Sequence, residues 1–285
     1  MPGRDPRRAR TRGWLLVAPA SLLVVPVVAV AIGSLVLTSL GLLPLFGPVR
    51  LSLDGYASAA PDLLTGVRES LLIAVTATTI ALLVGGGTAA LLMSSAHGRT
   101  VLGPLTGAVV TVPHLVGAAA TMLLLSGGGW LARLTGTAPE NWPQLVGGPY
   151  PSATVLEFAW KESAFVALVV LTAAAGQVAT FTDPARVLGA RAGQRLRMVT
   201  LPLMAPALWA AGIVVFVYTL GSYEVAWLLG RPYPEPLPVM AYRLYTSIDL
   251  AARPASAATA VVALGMAVLA AVGAVPMLHR LGAAR

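Results

Sequence analysis

Charged residues divide the chain into six long apolar stretches, at residues 13–49, 70–96, 100–132, 163–182, 198–223 and 254–278. Each stretch contains the roughly 20 apolar residues that a helix needs to cross the hydrocarbon core of a membrane. Continuous stretches of this length favour helices over the short alternating strands of a membrane barrel. The pattern therefore predicts an all-α polytopic membrane protein with six transmembrane helices, near residues 14–40, 70–94, 102–126, 155–178, 202–229 and 256–278.

The composition agrees with a membrane protein and excludes several kinds of chemistry. Of the 285 residues, 57% are apolar and 11% are charged, against about a quarter charged in soluble domains. No cysteine is present, which excludes disulfides, thiolate metal sites and thiol nucleophiles. The only lysine, Lys161, follows a tryptophan, so the chain lacks the Gly-Lys-Ser/Thr of a nucleotide-binding P-loop. The three histidines are scattered, and we expect no catalytic residue, metal site or cofactor in this chain.

The first apolar stretch follows a basic N-terminal segment and must be distinguished from a signal peptide. Cleavable apolar regions are about 7–15 residues long, whereas this one continues past Leu40. We expect a retained membrane anchor, preceded by a basic cytoplasmic tail at residues 1–13.

The distribution of arginine predicts the orientation. Six spans place both termini on one side of the membrane, and that side carries twelve arginines and two aspartates. The opposite side carries six arginines and six acidic residues. Because positive charge is retained on the cytoplasmic side, both termini and the loops at 95–101 and 179–201 are predicted to be cytoplasmic. Topology thus explains the net charge of +8 without a nucleic-acid partner.

The loop between spans four and five has the features of an ordered element. Asp183 is a suitable N-cap, Pro184 suits a first helical position, and Gly189 can adopt the left-handed conformation that ends a helix. These residues predict a short helix at 183–188, exposed to the cytoplasm, and a second basic helical segment at 191–197 along the headgroups. The alternative is a simple connector, although about twenty residues exceed what a pair of helices needs.

The same loop resembles the EAA loop of ABC-importer permeases, E-A-A-x3-G-x9-I-x-L-P. Asp183, Pro184 and Ala185 occupy the positions of E-A-A, and Gly189 matches the glycine. After nine residues, Val199, Leu201 and Pro202 match I, L and P without a gap. The three substitutions are Asp for Glu, Pro for Ala and Val for Ile. The resemblance implies that the loop, with Arg186, couples the chain to a separate ATPase.

The resemblance extends to the fold and the partners. Spans two to six, at residues 66–280, correspond to the five-helix core of the type I importer fold, preceded by a first helix and external loop at 14–65 and followed by a tail at 281–285. The segment 220–225 resembles the fifth span of the polyamine, ferric-iron and thiamine branch. The implied partners are an ATPase dimer that binds ATP, a second permease chain (identical or related), an external solute-binding protein and the lipid bilayer. The implied location is the bacterial inner membrane.

Charged residues within the spans are candidates for the substrate pathway, because an ionisable group at membrane depth is costly. Glu157 and Lys161 are spaced to pair on one face of span four, and Glu162 follows. Two roles are open for these three residues: they line the substrate pathway, or they form an interfacial anchor that contains an intrahelical ion pair. Tyr223 and Glu224 lie near the outer end of span five. Three roles are open for Glu224: contact with a cationic substrate, pairing with Lys161, or stabilisation of a helix break. These acidic residues favour a small cation such as a polyamine.

Two other kinds of protein also have several membrane spans. A stand-alone secondary transporter or channel predicts inverted halves and helices broken near the midplane, and the two halves of this sequence show no such correspondence. A membrane-embedded enzyme requires clustered His, Asp or Glu at membrane depth, which the sequence lacks. The preferred interpretation is a permease subunit without catalytic chemistry of its own.

Overall fold

Helices make up the regular structure in residues 6–283, the part of the chain that the computed structural model describes; side chains are described for residues 17–95 and 98–276. The predicted tails at 1–13 and 281–285 lie outside the described side chains. The α-helices are α1 (Pro6–Ser39), α2 (Asp54–Ser94), α3 (Ala96–Thr111), α4 (His114–Leu125), α5 (Trp130–Leu134), α6 (Ser152–Val187), α7 (Ala192–Arg195), α8 (Leu201–Gly221), α9 (Glu224–Leu229), α10 (Leu237–Tyr245) and α11 (Arg253–Ala283). Two 3-10 turns (Pro139–Asn141 and Leu250–Ala252) and one π turn (Leu196–Thr200) lie between them.

The prediction of six membrane spans is confirmed. Within the described residues, six helical segments are long and apolar enough to cross a membrane: Val17–Ser39, Asp54–Ser94, His114–Leu134, Ser152–Val187, Ala192–Gly221 and Leu250–Pro276. Two of them are much longer than the predicted spans. α2 has 41 residues and α6 has 36, which correspond to roughly 60 and 54 Å at 1.5 Å per residue, against about 30 Å of hydrocarbon. Both helices therefore project beyond the membrane.

Two predicted spans are interrupted rather than continuous. Span three breaks between α3 and α4, where Val112 has an extended backbone (φ −69°, ψ 124°) before Pro113. Proline lacks the backbone donor and disfavours helical geometry in the residue before it. Span five breaks between α8 and α9, where Ser222 is extended (ψ 131°). Both breaks bring backbone polar groups and side chains into the bundle.

Small residues allow α2 and α6 to pack closely at the centre of the bundle. Ala74, Ala77 and Ala81 on α2 are fully buried, as is Val166 on α6. A Cβ placed on Gly85 would lie 2.4 Å from the carbonyl oxygen of Ser163. Residues 85–90 fit the spacing G-x-G-x-x-A of dinucleotide-binding loops, but they lie within α2. Gly85 instead allows α2 and α6 to pack closely.

The connection between spans four and five differs from the predicted arrangement. α6 continues through Asp183 and Pro184 to Val187, so residues 183–187 form its last turn rather than a separate helix with Asp183 as N-cap. Proline is tolerated here because its φ suits a helix and only one turn follows. The basic segment at 191–197 comprises α7 and the start of the π turn, and it continues into span five.

Candidate functional site

A left-handed glycine ends α6. Gly189 has φ +83°. Its N–H donates to the carbonyl of Arg186 at 3.0 Å, and the N–H of Ala190 donates to the carbonyl of Ala185 at 2.9 Å. These two bonds form a Schellman motif, which satisfies the last carbonyls of the helix and reverses the chain. The predicted conformation of Gly189 is confirmed, and residues 185–190 are called the 185–190 turn below.

The surface around this turn is apolar and exposed. Val187 and Leu188 are each 87% exposed, and Met198 in the π turn is 77% exposed. Exposed arginines at 186, 191 and 197 surround them. Arg195 donates to the carbonyl of Ala190 at 2.6 Å and ties the turn to α7. Large apolar side chains in a setting rich in arginine are typical of a protein contact surface rather than of a lipid-facing one.

The remaining residues of the predicted coupling loop follow the turn. Val199 lies in the π turn, and Leu201 and Pro202 begin α8. The N–H of Leu201 donates to the carbonyl of Leu196, five residues earlier. Pro202 has no N–H to donate, and the wider π turn accommodates this loss next to the helix start. The structure thus places the predicted coupling residues in two consecutive segments, the end of α6 and the start of α8.

A second candidate site lies where α6 passes the break in span three. Glu157, Lys161 and Glu162 on α6 are 0%, 5% and 7% exposed. Lys161 does not form the predicted ion pair with Glu157. Its ammonium group donates instead to the carbonyls of Val109 (2.8 Å) and Val112 at the end of α3. The lysine therefore caps carbonyls that the break leaves without helical donors.

His114 lies on the other side of the same break, between the two carboxylates. Its Nδ1 is 3.4 Å from Glu157, and its Nε2 is 3.2 Å from Glu162. The rings of Tyr218 and Phe158 flank it, with centroids 5.0 and 6.1 Å away. In the sequence, His114 is one of three scattered histidines, and this role was not predicted. The available signal was a histidine in span three and two acidic residues in span four, because ionisable residues within spans usually pair with one another.

His114, Glu157, Lys161 and Glu162 together are called the polar cluster. It joins α6 to both halves of span three. Lys161 of α6 donates to carbonyls at the end of α3, and the two carboxylates of α6 contact His114 at the start of α4. Gly117 on α4 permits this approach, since a Cβ there would lie 2.9 Å from the Glu157 carboxylate. Both carboxylate oxygens of Glu157 are buried without a geometrically good hydrogen bond among the described residues. The carboxylate therefore depends on the electrostatic contact with His114.

Tyr223 and Glu224 lie apart from the paired carboxylates, at the break in span five. The Tyr223 ring stacks on Tyr242 of α10, with centroids 4.8 Å apart. Glu224 is exposed in the first turn of α9, where the helix dipole favours a negative charge. The structure does not pair it with Lys161, whose ammonium group binds the end of α3. Of the acidic residues assigned to the pathway, Glu224 is the exposed one.

Two further ion pairs tie the opposite end of the bundle together. Arg231 follows α9, lies 3.3 Å from Glu69 on α2 and donates to the carbonyl of Pro149. Arg243 on α10 lies 2.5 Å from Glu235, and this carboxylate raises the pKa of the Arg243 guanidinium above its usual value. Glu69 and Glu235, for which the sequence predicts no role, therefore each pair with an arginine.

No protein-family profile matches the chain. A stretch of 102 residues is 28% identical to the trehalose/maltose transport system permease protein MalF of Thermococcus litoralis. This match covers 35% of the chain and 34% of that protein, so the chain aligns with about a third of the length of its relative.

Comparison with solved structures covers much more of the chain. A chain of a bacterial alginate ABC transporter, solved in complex with an alginate pentasaccharide-bound periplasmic protein, superposes over 98% of both chains with a TM-score of 0.74 and 16% identity. A chain of a bacterial ABC transporter that imports alginate gives 0.69, over 96% of this chain and 98% of that chain, at 17% identity. A chain of an amino acid ABC transporter gives 0.57 at 20% identity, over 81% of this chain and 99% of that one. The protein is therefore an all-α polytopic membrane protein with the fold of ABC-importer permeases.

Proposed function

We propose that the chain is a permease subunit of an ABC importer and forms half of a translocation pathway. The observation that carries this proposal is the 185–190 turn, which exposes apolar side chains beside a cluster of arginines at one end of a membrane bundle. In this proposal the turn docks on a separate ATPase dimer, a second permease chain supplies the other half of the pathway, and an external binding protein delivers the solute. The setting is the inner membrane of a bacterium, with both termini cytoplasmic.

The continuity of α6 suggests how the chain transmits movement. The helix runs from Ser152 to Val187, and about 45 Å separate Glu157 from the 185–190 turn at 1.5 Å per residue. A helix of this length moves nearly as a rigid rod when its end is displaced. Because the polar cluster fastens α6 to both halves of span three, closure of the ATPase dimer would move α6 and span three together. That movement would convert an inward-open pathway into an outward-open one.

For the solute we propose a saccharide rather than the cation expected from the sequence. The expectation rested on acidic residues in the spans, but Glu157 and Glu162 contact His114. A protonated His114 offsets one of these two charges, and Lys161 supplies a second positive charge to the same polar cluster. Three of the four similar proteins support the same choice, since one is a trehalose/maltose permease and two belong to alginate transporters, whereas the fourth belongs to an amino acid transporter. The stacked Tyr223 and Tyr242 offer an aromatic surface beside the exposed Glu224, a combination suited to sugar rings and hydroxyls.

Docking at the 185–190 turn is tested by placing a charge on it. Leu188→Asp, co-expressed with the ATPase encoded beside this chain, should reduce co-purification of the ATPase at least ten-fold. The matched control is Ile248→Asp, because Ile248 is 100% exposed near the opposite end of the bundle. Full co-purification with Leu188→Asp, or equal loss with Ile248→Asp, would contradict the proposal.

Orientation and solute need separate measurements. A reporter fused after Arg285 should be cytoplasmic and one inserted near Asn141 should be external; an external C-terminus would refute the six-span topology. For the solute, calorimetric titration of the binding protein encoded beside this chain with disaccharides, alginate oligosaccharides and polyamines should detect binding of a saccharide only. Binding of a polyamine would restore the original expectation.

A further inference from the structure

A deep groove lies between α1 and α11 at the end of the bundle opposite the 185–190 turn. Its volume is about 720 Å³, within the 300–1,000 Å³ typical of small-molecule pockets. Small residues form its walls: Ala31 and Ser34 on α1, and Ser256 and Ala257 on α11. Leu43, Leu45 and Phe46 cover it from the connecting loop. The groove is thus apolar along two spans and open where those spans leave the membrane.

A single uncompensated cation lines the mouth of this groove. Arg253 is the first residue of α11, and its guanidinium lies 3.9 Å from the centre of the Tyr245 ring. Its Nε is buried without a hydrogen-bond partner among the described residues. The other two charged residues of the lining, Arg50 and Asp54, form an ion pair at 3.3 Å and neutralise each other. The lining therefore carries one net positive charge, on the guanidinium of Arg253.

From these observations we propose that the groove binds one membrane phospholipid, with the phosphate on Arg253 and an acyl chain between α1 and α11. The groove would hold the phosphate and the part of an acyl chain nearest the headgroup. Arg253 stands at the start of the last apolar stretch, where headgroup phosphates lie, and the small residues of the walls lie deeper in the spans. An arginine at this level pairs with phosphate by charge-assisted hydrogen bonds. The inference depends on the chain spanning a membrane and not on the transported solute.

A groove of this kind differs from general contact with lipid. On α1, most of residues 17–30 are exposed, and none of them lines the groove. A site that encloses an acyl chain and holds its phosphate should retain a lipid through purification in detergent, whereas lipids on a smooth helix face should exchange. The occupant would also fill space between α1 and α11 that no side chain of the described chain fills.

The test is native mass spectrometry of the full-length chain, purified in mild detergent with the subunits that assemble with it. We expect one dioleoyl phosphatidylglycerol retained per chain, and no retention of dioleoylglycerol, which has the same acyl chains without the phosphate. Arg253→Gln should weaken retention about ten-fold or more, the effect of losing a charge-assisted hydrogen bond. Arg133→Gln is the matched control, because Arg133 is exposed near the same end of the bundle and does not line the groove.

A second variant acts on the other end of the lipid. Ser34→Trp places an indole in the groove from an exposed position on α1 and should abolish retention while leaving Arg253 in place. The two variants are independent, so failure of one to fold leaves the other as the test. Equal retention of the two lipids, or equal loss in Arg253→Gln and Arg133→Gln, would overturn the proposal.

The competing occupant is a second protein chain. Ser34→Cys introduces the only thiol of the sequence. A maleimide that carries a benzophenone, attached to this thiol in intact membranes and irradiated, would then cross-link to whatever chain lies against the groove, because the excited benzophenone inserts into C–H bonds. Cross-linking to another chain, together with no lipid retained in the assembled complex, would show a protein interface and refute the lipid site. Absence of cross-linking with one lipid retained is the result we expect.

Discussion

Replacing Gly189 by valine tests the 185–190 turn with a penalty that can be worked from its geometry. Gly189 has φ +83°, and a Cβ built on it meets no atom within 4 Å. The penalty is therefore conformational and involves no clash. A Cβ in the left-handed region costs about 1–2 kcal/mol, and a β-branched side chain lies at the upper end of that range. At 1.4 kcal/mol per factor of ten, the population of the turn relative to frayed helix ends falls roughly 5–30-fold.

The assay is substrate-stimulated ATP hydrolysis and uptake by the complete transporter in proteoliposomes. Gly189→Val should lower both by about ten-fold or more while membrane insertion stays normal, and Gly189→Asn should be milder because asparagine tolerates this backbone region. Two controls separate coupling from general damage. Gly193→Val changes a nearby glycine with open space and no positive φ, and Gly136→Val imposes similar strain (φ +65°) near the opposite end. Wild-type coupling in Gly189→Val, or equal loss in Gly136→Val, would refute the reasoning.

The polar cluster and Glu224 give three further predictions. Lys161→Met removes the donors to two backbone carbonyls and should cost about 1–3 kcal/mol of stability; a lowered thermal unfolding midpoint in detergent, partly restored by Lys161→Arg, would show it. His114→Ala leaves two buried carboxylates unpaired and should cost about 3–5 kcal/mol. Adding Glu157→Gln should recover part of that loss in the same melt, and additive losses would argue against the pairing. Glu224→Gln keeps the hydrogen-bonding capacity and should retain most uptake of a saccharide; a strong loss of uptake would favour a cationic solute.

The charged residues of the polar cluster make contacts that hold α6 against the break in span three. Lys161 and His114 hold the two sides of one helix break, and the carboxylates hold His114. Their burial and mutual contacts explain how three ionisable residues of α6 are retained in an apolar bundle, because each charge has a fixed partner or dipole nearby.

The sequence by itself determined the features that depend on neighbouring residues. Six uncharged stretches defined six spans, because the cost of burying charge in lipid acts on every stretch independently. Gly189 marked a left-handed helix end, because glycine alone adopts that conformation without a steric penalty. Pro113 removes a backbone donor for a similarly local reason, but the predicted span three was continuous across it.

Tertiary structure alone decided which groups meet across the bundle. Lys161 and Glu157 have a spacing that suits an ion pair, yet Lys161 binds carbonyls 49 and 52 residues away. The sequence allows Lys161 to pair with Glu157 or to bind another helix. The packing of α6 against the break selects the second arrangement, because the carbonyls of Val109 and Val112 at the end of α3 lack their usual helical donors. The acidic residues of the spans suggested a cationic solute only while their partners were unknown. His114 contacts two of them, and such contact depends on the relative depth and rotation of two helices, which hydrophobic pattern and spacing do not specify.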